Sequence, residues 1–196
     1  MKNYISILML ICFATFSNAQ NDFNRQWTAV AKFEKEGLTK SAADLVDTIY
    51  KSAMNKKDKQ QGIKALLHKS KYLLTLKEDA QLEIVTLFKS EITKSDDLVT
   101  KHLLENILAT MYWQYFQQNR YKYYNRTKTS EKISNDFRTW DLETLFNEIH
   151  VNYQRSLENG LIVLQDPLSS YKTLLVEAKN SKDYRPSLFD LLSHNA

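Results

Sequence analysis

The chain has 196 residues, enough for one domain or one compact helical array, and its 27 Lys and Arg against 23 Asp and Glu give a net charge of +4. Basic and acidic residues are interspersed, as at Lys56-Lys57-Asp58-Lys59, which describes a solvated face and argues against a polyanion track. Three glycines and two prolines in the whole length are too few breakers for the turns of a β-protein, so helices are implied.

Met1 and Lys2 form a short basic start, Ile5 to Phe16 an apolar run, and Ser17-Asn18-Ala19 a small-residue cleavage site. This pattern predicts a secretory signal over residues 1–19, cut before Gln20. The run is shorter than the roughly 20 apolar residues a membrane span needs. Cys12 lies inside it behind Ile11, which is not the small residue a lipoprotein signal wants, so it reads as filler. The mature chain, residues 20–196, is then a single exported helical domain of the periplasm or cell envelope. Cysteine-free, it must be held by its apolar core or by a partner, and it offers no thiolate as nucleophile or metal ligand. Losing the leader removes Lys2 and no acidic residue, lowering the net charge by one.

Phe23, Trp27, Val30 and Ala31 mark an opening helix, and Gly37 stands where a left-handed residue would end it. Ala42, Leu45, Val46, Ile49, Tyr50 and Ala53 make a second stripe, and Ile63, Leu66, Leu67, Ser70, Leu73 and Leu74 a third. Ile84, Val85, Phe88 and Ile92 follow, then Leu104, Ile107, Leu108, Met111, Tyr112 and Tyr115. The 118–140 segment, with Asn125-Arg126-Thr127 and Ser130 to Asp136, reads as a longer loop. Leu142, Leu145, Phe146, Ile149, Tyr153 and Leu157 form the next stripe, with Gly160 after Asn159 as its left-handed end. Leu161 to Leu164 suits a short strand or a helical extension; Pro167 suits a helix start, and Tyr171, Leu174, Leu175 and Ala178 a shorter helix. Asp58, Asp79 and Asp141 each precede a stripe, where a carboxylate can accept from free backbone N–H groups.

About seven helices result. Six buried side chains per stripe contribute on the order of 10 kcal/mol of gross burial at ~1.5–3 kcal/mol each, so packing decides the fold. Short links at 37–40 and 76–79 favour antiparallel hairpins, giving an all-α bundle or a short tetratricopeptide-like solenoid. Val46, Tyr50 and Ala53 sit at offsets that suit a tetratricopeptide repeat, yet candidate hairpins starting near 40, 79 and 141 share no fixed period.

His68, His102, His150 and His194 show no paired ligand spacing, and Glu148 and His150 point to different helix faces. They read as surface or partly buried imidazoles. No Gly-x-Ser-x-Gly elbow and no glycine-rich phosphate loop occurs. The acidic pairs Asp96-Asp97 and Asp141/Glu143 fall at helix starts, where the helix dipole favours them. No catalytic, metal-binding or cofactor-binding residue is assigned, and no enzyme is expected. The segment from Tyr112 to Arg126 interleaves aromatics with Arg and Lys. Such a pattern could stack the bases of single-stranded nucleic acid or hold a carbohydrate. Core aromatics followed by a cationic helix end account for it better, and an exported chain meets no nucleic acid. Tyr121, Lys122 and Arg126 are the candidate partner surface.

Trp113, Tyr115-Phe116, Asn119-Arg120, Arg126-Thr127, Thr139-Trp140-Asp141, Ser156-Leu157 and the run from Arg185-Pro186 to His194 follow one another in a telling order. From Trp27 to Ala196 the chain resembles the N-terminal helical region of Bacteroidetes alpha-2-macroglobulin-family proteins. In that family the segment precedes β-sandwich macroglobulin domains, and members trap proteases through a bait region and often a Cys-x-Glu-Gln thioester. Neither element is present, so the resemblance carries over no functional residue. Pro186 to Leu192 opens an amphipathic helix of about two turns, too short to be stable unaided; the expectation is the truncated N-terminal part of a longer protein. The resemblance implies a non-catalytic scaffold or docking module, its partner another protein or the macroglobulin domains. The alternative is a free-standing tetratricopeptide-like interaction module of the periplasm.

Overall fold

The computed structural model describes residues 22–124, 126–127, 134–175 and 184–196; the expected leader lies outside them. The described residues form eight α-helices and two short 3-10 turns, with no strand among them. Contacts gather the chain into two units, Met1–Glu78 and Asp79–Ala196.

In the first unit, α1 spans 22–35, α2 Thr39–Asn55 and α3 Lys59–Leu76. The predicted α2 stripe is the centre of the core. Ala42, Val46, Ile49 and Ala53 are fully buried against Phe23 and Val30 of α1 and Ala65 and Tyr72 of α3. Gly37 ends α1 in the left-handed region, at φ +73°. Its N–H donates to the Glu34 carbonyl at 3.1 Å and the Leu38 N–H to Phe33 at 2.9 Å, satisfying the helix's last acceptors. The end of α2 repeats this geometry on a residue that sequence did not mark. Lys57 takes φ +55°, with its N–H on Met54 at 3.1 Å and the Asp58 N–H on Ala53 at 2.9 Å. Asp58 then caps α3 by accepting from the Gln61 N–H at 3.1 Å. This turn of three residues makes α2 and α3 antiparallel neighbours. The predicted α3 stripe holds through Ile63, Leu66 and Ser70, but Leu74 is 54% exposed. Tyr72 is buried in its place, because its hydroxyl reaches Glu34 of α1 at 2.6 Å.

The second unit holds α4 (Ala80–Lys94), α5 (Leu98–Tyr124), a 3-10 turn (Phe137–Thr139), α6 (Leu142–Ser156), α7 (Gly160–Leu164), a second 3-10 turn (Leu168–Tyr171) and α8 (Leu188–Asn195). α5 is the axis: it packs against α4, α6 and α8, and five successive residues, His102 to Asn106, are buried. Enclosure on every side replaces the single apolar stripe of a surface helix. Asp97 accepts from the Thr100 N–H at 2.9 Å near its start, and Asp141 caps α6 through the Thr144 N–H at 2.7 Å. Asp79 makes no cap to α4; its carboxylate takes the Arg138 guanidinium at 2.6 Å instead.

Several boundaries depart from the sequence reading. α5 continues to Tyr124, so the loop expected from 118 begins later. No breaker interrupts that stretch, and Tyr123 is buried there. At the end of α6 it is Asn159, at φ +53°, that takes the left-handed conformation. Gly160 opens α7, which decides the Leu161–Leu164 run as helix. Its missing side chain makes room for Phe189: a Cβ there would stand 2.7 Å from Phe189 Cε2. Pro167 precedes the second 3-10 turn, as its fixed φ suits. Past Tyr171 the chain bends through 172–174 without forming the helix expected there, and residues 176–178 of that expectation lie outside the described residues. An isolated bridge joins Pro167 to Ser187. Ser187 and Asp190 form a capping box at α8: the Asp190 N–H donates to Ser187 Oγ at 3.2 Å, and the Ser187 N–H to Asp190 Oδ2 at 2.9 Å. Among the described residues no helix is long and apolar enough to cross a membrane.

Candidate functional site

The aromatic–basic segment folds into two parts with different roles. Tyr112, Phe116 and Tyr123 project from α5 into the second unit's core, meeting Phe137 of the first 3-10 turn, Trp140 just after it and Phe146 of α6. The rings meet mostly edge to face, Tyr112–Phe137 at 5.1 Å, Tyr115–Phe137 at 4.8 Å and Phe116–Phe146 at 4.9 Å, the arrangement that ring quadrupoles favour. Burial raises the Tyr112 and Tyr123 hydroxyls, Tyr123 to about 12; neither has a hydrogen-bond partner among the described residues.

Charged groups clamp this cluster from outside. Arg126 Nη1 donates to the Trp140 carbonyl at 2.6 Å while its guanidinium lies over the Tyr123 ring at 4.5 Å. Arg138 grips Asp136 with Nε at 2.9 Å and Nη2 at 2.8 Å, and Asp79 with Nη1. The Arg138 hydrogen bond holds the Asp136 carboxyl below its usual range. Lys89 pairs with Glu148 at 2.9 Å and lies 5.6 Å from the Trp140 ring centre. Trp140 Nε1 donates to the Ser134 carbonyl at 2.6 Å.

The three candidate surface residues therefore divide. Tyr121 is 73% exposed, and Lys122 is exposed. Arg126 is half-buried and committed to holding Trp140 and Tyr123. Tyr124, which sequence reasoning did not select, is 61% exposed and meets Tyr121 at 6.4 Å and 90°. Helical spacing carries the missed signal: 121 and 124 are three apart and share a face, while 123 turns inward.

Two polar clusters escaped the sequence. In the first unit, Glu34 Oε1 accepts from the Tyr72 hydroxyl at 2.6 Å and from Lys71 Nζ at 2.9 Å. These bonds depress the Glu34 carboxyl, Tyr72 first. His68 lies 4.8 Å from the Trp27 ring, and burial lowers its pKa. Trp27 Nε1 donates to the buried Gln61 at 2.6 Å, and Lys64 lies over Trp27 at 4.4 Å. The network ties α1 to α3 and offers no activated nucleophile, since the Tyr72 hydroxyl is pinned and its pKa raised by burial. In the second unit His102 is 2% exposed, which corrects the reading of a surface or partly buried imidazole. Its Nδ1 lies 3.1 Å from Glu105 Oε2. Beside it Asn106 donates to Ser156 Oγ of α6 at 3.1 Å and to the Leu192 carbonyl of α8 at 3.0 Å, and accepts from Asn195 at 2.9 Å. His150 and His194 are exposed, and His194 contacts Arg185 at 2.9 Å. Among the described residues no group of three His, Cys, Asp or Glu could hold a metal ion.

No protein family matches the chain, and no curated protein and no solved structure does either.

Proposed function

We propose that this chain is a non-catalytic exported helical module, the N-terminal region of an alpha-2-macroglobulin-like protein, which acts as scaffold or docking unit. What supports the reading is the use made of the residues that carry the resemblance: they join helices. Arg126 is bonded to Trp140, Asp141 caps α6, Ser156 receives Asn106, and Ser187 and Asp190 cap α8. Residues given to joining and capping helices fit a module that presents a surface.

Two measurements test this. Mass spectrometry of the protein recovered from the cell envelope is expected to find a mature N-terminus at Gln20; an uncleaved cytosolic chain refutes export. Sequencing of the genome beyond the Ala196 codon is expected to find macroglobulin domains, in frame or after one frameshift. A stop followed by an unrelated gene favours the free-standing tetratricopeptide-like module, which the antiparallel α2–α3 pair with buried Val46 and Ala53 supports.

A further inference from the structure

We infer that the last turns of α5 form a docking edge for an acidic peptide segment of a protein partner, with Tyr121 and Tyr124 as its apolar contacts and Arg120 and Lys122 as its charges. The inference rests on the docking role proposed above and names the partner's chemistry.

From Asn106 to Ser130 the sequence holds no Asp or Glu, while Arg120, Lys122, Arg126 and Lys128 fall within it. Three cations elsewhere in this unit are answered by carboxylates: Lys89 by Glu148, Lys94 by Glu91, and Arg138 by Asp136 and Asp79. Among the described residues, Arg120 and Lys122 meet none; Arg120 rests over the Tyr121 ring at 5.2 Å. The helix's C-terminal dipole is equivalent to about half a negative charge, which two full positive charges exceed. The edge is therefore net positive and complementary to carboxylates.

The aromatic exposure points the same way. Tyr123 is buried, yet the rings on either side of it in sequence, Tyr121 and Tyr124, are left in water. Tyrosine contributes large contact area at low entropic cost when a partner covers it. Nucleic acid fits worse. Successive bases stack on ring faces, and two rings at 90° cannot offer parallel faces to neighbouring bases. Two cations without a carboxylate partner among the described residues also neutralise few phosphates.

The test is fluorescence anisotropy of the full-length chain with a fluorescein-labelled, glutamate-rich peptide carrying interspersed leucines. The comparison probes are its lysine counterpart and an oligothymidylate of equal length. Expected are preferential binding of the acidic peptide, weakening as salt is raised, and a loss of about tenfold or more for Tyr121→Ala combined with Lys122→Glu. Far-UV circular dichroism should be unchanged in that variant, because both side chains are exposed. Lys40→Glu, an exposed position on α2, changes net charge equally and should leave binding intact. Absence of binding, equal weakening by Lys40→Glu, or preference for the oligothymidylate overturns the inference. Cleavage before Gln20 and macroglobulin domains downstream would stand regardless, so failure here is distinct from failure of the proposed function.

Discussion

Asn106 is the residue whose replacement should reveal most about the second unit. Its side chain is 1% exposed and joins α5 to two other helices. Asn106→Ala removes the buried bonds to Ser156 Oγ and the Leu192 carbonyl, about 1 kcal/mol each in net terms. The third bond reaches exposed Asn195, which water can re-satisfy. Neither buried partner is left wholly orphaned: the Leu192 carbonyl also accepts from the Ala196 N–H at 3.2 Å, and Ser156 Oγ also donates to Tyr153 at 2.7 Å. The small void adds about 1 kcal/mol, for a total of about 3 kcal/mol. Set against a typical stability of about 5–15 kcal/mol, that weakens the unit without unfolding it. Asn106→Asp should cost more, because a carboxylate would face the Leu192 carbonyl beside buried Glu105 with no proton to donate. Urea titration followed by circular dichroism gives the magnitude. Hydrogen exchange gives the location, with α8 amides losing protection ahead of those in α5. A change below about 0.5 kcal/mol, the level of an ordinary surface substitution, or uniform loss of protection across α5 and α8, would refute the reasoning.

Lys57→Gly should stabilise the first unit by about 0.5–1 kcal/mol, because the left-handed φ at this position strains any side chain and outweighs glycine's extra freedom in the unfolded chain; a higher thermal midpoint checks it. Gly160→Ala should destabilise by about 1–3 kcal/mol through the clash with Phe189, and Phe189→Leu should recover part of the loss in the same melt. Arg138 holds the Asp136 carboxyl below its unfolded value. That contribution is present above the ordinary aspartate pKa, about 3.9, and is lost as pH falls through the folded value. Urea unfolding should therefore show a smaller loss of stability on acidification in Arg138→Gln than in the parent.

Helices and their cores were legible because a buried face writes itself as spacing: of the six stripe positions in α2, Ala42, Val46, Ile49 and Ala53 lie in the core, and Leu45 and Tyr50 pack against it partly buried. Caps were legible where one carboxylate had one use. Asp58 met that condition, and Asp141 caps α6 as its position suggests; Asp79 does not cap, because Arg138, 59 residues away, competes for it. Left-handed positions were legible at Gly37 and misread at Gly160, since a glycine can serve close approach as well as positive φ, and Asn159 supplied the φ. Lys57 could not be read at all: the turn forces its conformation on a residue that does not advertise it. The Glu34–Tyr72 contact joins residues 38 apart, and no local pattern encodes a bond between two helices. The same holds for the surface. Spacing places Tyr121 and Tyr124 on one face, but only the packing of Trp140 shows that Arg126 is already engaged.

His102, Glu105 and Asn106 present three buried polar groups in the first third of α5, where a purely apolar helix would pack with less specificity. A helix enclosed by α4, α6 and α8 has apolar contacts in most directions, and dispersion alone discriminates weakly between rotations or slides of one turn. An asparagine with fixed partners on two neighbours discriminates strongly, because any other register leaves its amide buried and unpaired at a cost of about 1–3 kcal/mol. α5 also carries Tyr121 and Tyr124 at its far end, so its register decides where those rings stand. On this view Asn106 acts on the docking edge at a distance by holding the helix that presents it. Asn106→Ala should accordingly weaken acidic-peptide binding less than the Tyr121/Lys122 double variant does, and should do so only under conditions where α8 protection has already fallen.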